Sequence, residues 1–363
     1  MRILMVLGKA TGGIGVHVDT LTADLRERGH RVELVTDSLT AATFGWDDAH
    51  LLWPHGRDLV RLQAGWREAR ALARGADVVH AHGHQAGAWA SSLGRTPLVV
   101  SLHNNVLPGS GPAVVATAAQ RWVARRAALV TGASSDLVET AHSFGARAEL
   151  AAVPSPRVPA LLASPAGDAR TRLEAGGRLL TEVGADPTLP LVLAVARIAP
   201  QKRVDVLLQV ARHLRGEAVV AVAGSADENL LARIRAQDPA GDLHLLGPRP
   251  DLDQLYASAS VLVLTSSWEA RALVVQEAMA AGLPVVATDT GGIPDLMRVG
   301  GDVVGRLVPV GDAAATVDAV RGLLAAPATR DEIAARGREV ARGWPDRAGT
   351  ARDWEERYAR VLG

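Results

Sequence analysis

Short apolar runs recur along the chain at intervals that each leave room for one helix. In the first part they fall at residues 3–7, 32–36, 78–81, 98–102 and 128–131. After a gap the rhythm resumes at 191–196, 218–223, 243–246, 261–264, 285–288 and 305–308. The runs are apolar throughout instead of alternating, which predicts parallel strands covered by helices on both faces. The strand–helix rhythm therefore predicts an α/β protein built from two doubly wound parallel-sheet domains. The first is expected over 1–157 and the second over 188–344, joined by a Pro-, Ala- and Gly-rich linker at 158–187 that carries a helix over 170–182 ending near Gly184. The stretch 345–363 follows Gly343 and Trp344 and reads as a terminal helix packing back on the first domain.

One helix in this pattern is unlike the rest. From Ala272 to Ala281 it is apolar on every side, which predicts burial, yet it carries Glu277. At three- and four-residue spacing Glu277 meets only Leu273, Val274, Ala280 and Ala281, none of which pairs with a carboxylate. A buried ionised carboxylate costs several kcal/mol unless something donates hydrogen bonds to it, and a ribose or sugar diol would do so. Glu269, eight residues earlier, precedes the first turn. The structural alternative makes Glu269 a helix cap and pairs Glu277 with a distant Arg.

Length and charge bound the rest. At 363 residues and 37.9 kDa the chain suits two domains, which implies a cleft. Its 39 basic and 39 acidic residues cancel, so no overall field draws it to nucleic acid or an anionic membrane. Having no cysteine, it has no disulfide, thiolate metal site or Cys nucleophile. No apolar stretch approaches the ~18 residues of a spanning helix, and the expected location is cytoplasmic.

In open α/β sheets ligands bind beyond the carboxyl ends of the strands, so the loops after strands matter most. After the first strand come Gly8, Lys9, Gly12, Gly13 and Gly15, ahead of a helix expected from about Val16. Glycines there suit an anion at a helix start, and tight packing explains them equally well. After the 191–196 run, Arg197 and Lys202 are placed to grip two phosphates. The chain has only two lysines, Lys9 and Lys202, and both fall in such loops. The third loop, Thr265 to Arg271, leads into the Glu277 helix and offers the amides of Ala272, Leu273 and Val274 to a diphosphate. Together the loops describe a site for a nucleoside diphosphate with a group attached.

The segment from Glu269 through Glu277 to Pro294 resembles the signature of glycosyltransferase family 4, the retaining nucleotide-sugar transferases of GT-B fold. The stretch Val195 to Lys202 is similar to that family's phosphate-binding motif, Gly12 to Val18 to its first glycine loop, and Gly247 to Pro250 with Tyr256 to its base-binding turn. The resemblance implies two Rossmann-like domains facing a central cleft, an N-terminal acceptor domain and a C-terminal domain for a UDP- or GDP-sugar donor. It implies that Glu277 accepts from the ribose hydroxyls, that Arg249 meets the base through its backbone, and that Arg197 and Lys202 neutralise the diphosphate. Glu269, the amides of Arg271, Ala272 and Leu273, and His103 would lie at the donor sugar. The departing phosphate takes the acceptor proton in such enzymes, so no protein base, cofactor or metal is expected. The chain departs from the family in having Ala270-Arg271-Ala272 where a glycine-rich run is common, and Pro154-Ser155-Pro156 where an Asn-Gly turn is common.

Other signals are set aside. His80, His82 and His84 alternate at strand spacing, but no carboxylate follows to complete a metal site. Asp251 and Asp253 imitate a metal-binding pair but stand at a helix start, where the capping reading is preferred. Arg121, Trp122, Arg125 and Arg126 read as a solvated face over a core anchor, with peripheral membrane contact as the alternative. A short-chain dehydrogenase fails for want of a Tyr–Lys pair, and a P-loop kinase fails because Ala10 follows Lys9. A sugar-nucleotide epimerase of the same fold and a non-catalytic nucleotide-sugar binder remain the alternatives; base, sugar, acceptor and oligomeric state are not legible.

Overall fold

The computed structural model describes residues 1–54, 59–105 and 113–363. The chain divides into two units, Met1–Pro154 with Pro345–Gly363, and Ser155–Trp344.

The first unit runs β1 (Arg2–Leu7), α1 (Gly13–Glu27), β2 (Arg31–Val35), α2 (Ser38–Phe44), α3 (Leu59–Gly75), β3 (Val78–His82), α4 (His84–Ala90), β4 (Leu98–Leu102), α5 (Ala113–Arg126), β5 (Leu129–Gly132), α6 (Ser135–Ser143) and β6 (Ala148–Leu150). All six strands pair in parallel, in the order β2-β1-β3-β4-β5-β6. The direction of strand order reverses between β1 and β3, which makes the ends of those two strands the switch point.

The second unit runs α7 (Val158–Ala163), α8 (Ala169–Glu182), β7 (Leu191–Val195), α9 (Val204–His213), β8 (Val219–Ala223), α10 (Glu228–Gln237), β9 (Leu243–Gly247), α11 (Leu252–Ser258), β10 (Val261–Leu264), α12 (Leu273–Ala280), β11 (Val285–Thr288), α13 (Ile293–Met297), a small hairpin of β12 (Arg298–Val299) and β13 (Asp302–Val303), then β14 (Arg306–Val308), α14 (Ala313–Ala325) and α15 (Pro327–Arg342). Its sheet order, β14-β11-β10-β7-β8-β9, is the dinucleotide-fold order, with the switch point between β7 and β10. Strand β7 shows why the runs are apolar throughout. Leu191, Leu193 and Val195 enter one core, Val192 and Ala194 the other, and both faces are covered.

The last helix, α16 (Arg347–Leu362), belongs to the first unit. Trp354 and Tyr358 are fully buried there, and Arg347 bonds Asp24 at 2.6 Å. Side chains of Asp37, Asp168, Asp227, Asp312 and Asp346 cap α2, α8, α10, α14 and α16.

Several local expectations change. Helix α1 begins at Gly13, earlier than the Val16 expected. The 158–187 stretch contributes two packed helices to the second unit, burying Leu161, Leu179 and Leu180 in its core. Asp251 holds the N-cap position of α11 without a capping bond, because its carboxylate is taken by Arg249. Asp253 pairs with Arg157 at 3.1 Å. Among the described residues no helix is long and apolar enough to cross a membrane.

Candidate functional site

Helix α12 organises the second unit's candidate site. Its residues Val275 to Ala280 are buried, and Glu277 lies among them at 6 % exposure. The carboxylate already has two donors inside the protein, which the sequence pattern did not show. Ser155 Oγ donates to Oε1 at 2.6 Å and Tyr256 Oη donates to Oε2 at 2.7 Å. A distant Arg is not its bonded partner either. Burial raises the Glu277 pKa, and the two hydroxyl bonds oppose that rise. Each carboxylate oxygen has two lone pairs, so acceptor capacity remains for a diol. Tyr256 is likewise held protonated by burial and by the neighbouring carboxylate.

The C-terminal carbonyls of α12 are satisfied by two arginines. Arg338 donates to Ala280 O at 2.8 Å, and Arg172 donates to Ala281 O and Gly282 O at 2.8 Å each. They place positive charge at the negative end of the helix dipole. Ala272 caps the other end without a side-chain bond, so the first-turn amides of Leu273 and Val274 face outward from the helix end.

Glu269 does not cap α12. It forms an ion pair with Lys202 and accepts from Ser266 Oγ at 2.6 Å. Lys202 closes a short 3₁₀ turn after β7, and Gln201, also in that turn, accepts Ser267 N–H on its carbonyl at 2.8 Å. The loops after β7 and β10 are therefore tied together at the switch point. The Glu269 carbonyl accepts from Gly292 N–H at 2.8 Å. At Gly291, φ is +54° and a Cβ would fall 2.0 Å from that carbonyl, so only glycine lets the turn approach.

Arg197, Arg249, Gly224, Leu252 and Val274 line a cavity of about 320 Å³ at the ends of β7 and β8. Arg197 is exposed and makes no ion pair among the described residues. Arg249 is held by Asp251 through Nε at 2.7 Å. Arg271 sits half-buried before α12, its Nε without a hydrogen-bond partner. Burial lowers its pKa, and Asp295 opposes that effect. Val274 and Glu277 stand one helical turn apart on one face of α12.

His103, Gly12 and Gly13 lie in the first unit. Gly12 is the N-cap of α1, and a Cβ there would meet nothing. His103 belongs to a group the sequence showed only in part. Its Nε2 lies 3.1 Å from His82 Nδ1, and its ring centre lies 5.5 Å from that of His17. Burial drives the pKa of His17 down to about 4 and that of His103 to about 3, and holds His80 and His82 well below the usual value. His80 instead serves the core, bonded to Tyr358 Oη and Ser101 Oγ at 2.7 Å each. His84 Nε2 bonds Asn104 O at 2.8 Å. No three His, Cys, Asp or Glu residues among those described are grouped to hold a metal.

Ser155, Tyr256, Ser266 and His17 were missed as partners of these groups. One signal was available: the chain has only two tyrosines, and each bonds a buried titratable group.

Two family descriptions match the chain, "Glycosyl transferases group 1" over residues 180–340 and "Glycosyl transferase 4-like domain" over 12–156. D-inositol 3-phosphate glycosyltransferase of Xylanimonas cellulosilytica is 30 % identical over 94 % of this chain and 91 % of its own length. Alpha-maltose-1-phosphate synthase of Mycobacterium tuberculosis is 35 % identical, with 48 % of each chain covered, so the match spans about half of that relative. The structure of Anabaena HepE in complex with UDP superposes with a TM-score of 0.84 at 19 % identity, covering 99 % of this chain and 100 % of that one.

Proposed function

The chain belongs to the group 1, GT4-type glycosyltransferases of GT-B fold, and from that membership we propose that it transfers a sugar from a UDP- or GDP-sugar to an acceptor, with retained anomeric configuration and no metal. The observation that carries this reading is the cavity lined by Arg197, Arg249 and Val274, at the start of the helix that holds Glu277. Glu277, already oriented by Ser155 and Tyr256, would accept from the ribose hydroxyls with its remaining lone pairs. Arg197, Lys202 and the outward amides of α12 would meet the diphosphate, whose negative charge grows as it departs.

Transfer forms a bond from an acceptor oxygen to the donor's anomeric carbon and breaks the bond from that carbon to the diphosphate. The acceptor proton leaves on the departing phosphate oxygen, on the same face. Lys202, fixed by Glu269 and not swinging freely, would be preorganised for that charge. His103, neutral at physiological pH, would offer a hydrogen bond to a sugar hydroxyl. The UDP named with Anabaena HepE and the glycosyltransferase named in Xylanimonas support the donor class.

The test is turnover in EDTA. Nucleoside diphosphate release should need an acceptor, and NMR of the product should show the donor's anomeric configuration. An inverted product, or loss of turnover in EDTA, would contradict the proposal.

A further inference from the structure

Arg271 is a half-buried cation that no side chain holds. Its Nε is shut off from solvent without a hydrogen-bond partner, and among the described residues its guanidinium forms no ion pair. Asp295, in the first turn of α13, acts on its charge without bonding to it. Other arginines enclosed in this unit behave differently. Arg172 and Arg338 spend their forks on backbone carbonyls. Arg330 also has an orphaned Nε, but it acts on the charge of Arg172, which binds the opposite end of α12. An enclosed charge without a partner works against the fold, and an anion bonded to it would remove that cost.

The order of the strands says which part of a ligand Arg271 would meet. Along the strand ends stand Arg249 after β9, Gly224 after β8, Arg197 after β7, Arg271 after β10 and Asp295 after β11. The first three line one cavity, and Arg271 lies outside it, on the β11 side. With the nucleoside in that cavity and the diphosphate at Arg197, the group attached to the diphosphate falls at Arg271. Lys202 and Arg249 are each held by a carboxylate, whereas the Arg271 fork is unspent. A planar fork matches a carboxylate through two parallel bonds, a geometry an ammonium does not supply. We propose that Arg271 selects a donor whose sugar carries an acidic group, the simplest being the carboxylate of a hexuronate. The assignment rests on the transferase reading above. A neutral sugar leaves the guanidinium charge uncompensated and binds more weakly.

Calorimetric titration into the full chain compares UDP-glucuronate with UDP-glucose and GDP-mannuronate with GDP-mannose, with UDP and GDP alone alongside. For one base, the acidic donor should bind at least tenfold more tightly than its neutral counterpart. Arg271→Gln should abolish that preference, and Arg271→Lys, which keeps the charge without the fork, should retain only part of it. Because Arg271→Gln removes an unpaired charge, its thermal melt should match the wild type or exceed it; a melt well below marks a structural group and overturns the assignment. Equal affinity for acidic and neutral donors in the wild type overturns it too, as does a preference that survives in Arg271→Gln. An equal loss of affinity for UDP or GDP alone in that variant puts the guanidinium on the diphosphate, which overturns the sugar assignment and leaves the transferase reading intact. Failure of both nucleoside diphosphates to bind the wild type overturns the transferase reading, and the sugar assignment with it.

Discussion

Tyr256 Oη donates to Glu277 Oε2 at 2.7 Å, with the tyrosine fully buried and the carboxylate nearly so. The bond fixes which lone pairs of Glu277 are spent inside the protein and which are left for a ligand. It also keeps a charge in a place that burial disfavours. Because the folded pKa of Glu277 is raised, its ionisation works against the fold as pH rises through that value. Glu277→Gln should therefore leave Tm at pH 7 unchanged or raise it. Nucleoside diphosphate affinity should fall by one or two charged hydrogen bonds of about 1.5–3 kcal/mol each. Calorimetry and a thermal melt on the same sample check both, and undiminished affinity would remove the ribose role.

Lys202→Met should leave Glu269 half-enclosed without its cation, destabilising the fold by about 1–3 kcal/mol. Lys202→Met with Glu269→Gln should recover most of that stability and none of the turnover. A double variant that regains activity would show the pair to be structural only.

Gly291→Ala places a methyl group against the Glu269 carbonyl at a backbone angle L residues avoid. The Gly292-to-Glu269 bond should break and the loop carrying Glu269 should shift. The expected result is a loss of at least tenfold in kcat with a smaller change in nucleotide affinity, read from steady-state kinetics and calorimetry.

The histidine group makes the first unit acid-sensitive. His17 and His103 protonate near 4 and 3 in the fold but near 6.5 when unfolded, so the unfolded chain binds more protons below pH 6.5. Stability should be full above that pH and fall as pH drops from 6.5 toward 4. Scanning calorimetry from pH 7 to 4.5 should show a falling Tm, with a shallower slope in His17→Gln. An unchanged slope in that variant would contradict the burial of a neutral His17.

The strands were legible because both sheet faces are covered, which turns β7 and β8 into unbroken apolar runs. Edge strand β6 was not. It is three residues long and half-exposed, and its Glu149 is held by Arg357 and Arg360 from the far end of the chain. Glu277 stood out because helix spacing gave it no partner, and Glu269 because it stands just ahead of the same helix. Their partners were hidden by distance along the chain: Ser155 lies 122 residues from Glu277, and Lys202 lies 67 residues from Glu269. Helix α8 was legible, expected over 170–182 and found at Ala169–Glu182, whereas the short α7 was obscured because its surroundings read as linker while it packs as core.

Calorimetric titration of UDP, GDP, ADP and NAD into the full chain, with and without EDTA, tests the donor site most directly. The account predicts tight binding of a single uridine or guanosine diphosphate, unaffected by EDTA and weakened by Arg197→Ala. Binding of NAD alone, or of none of the four, would contradict it.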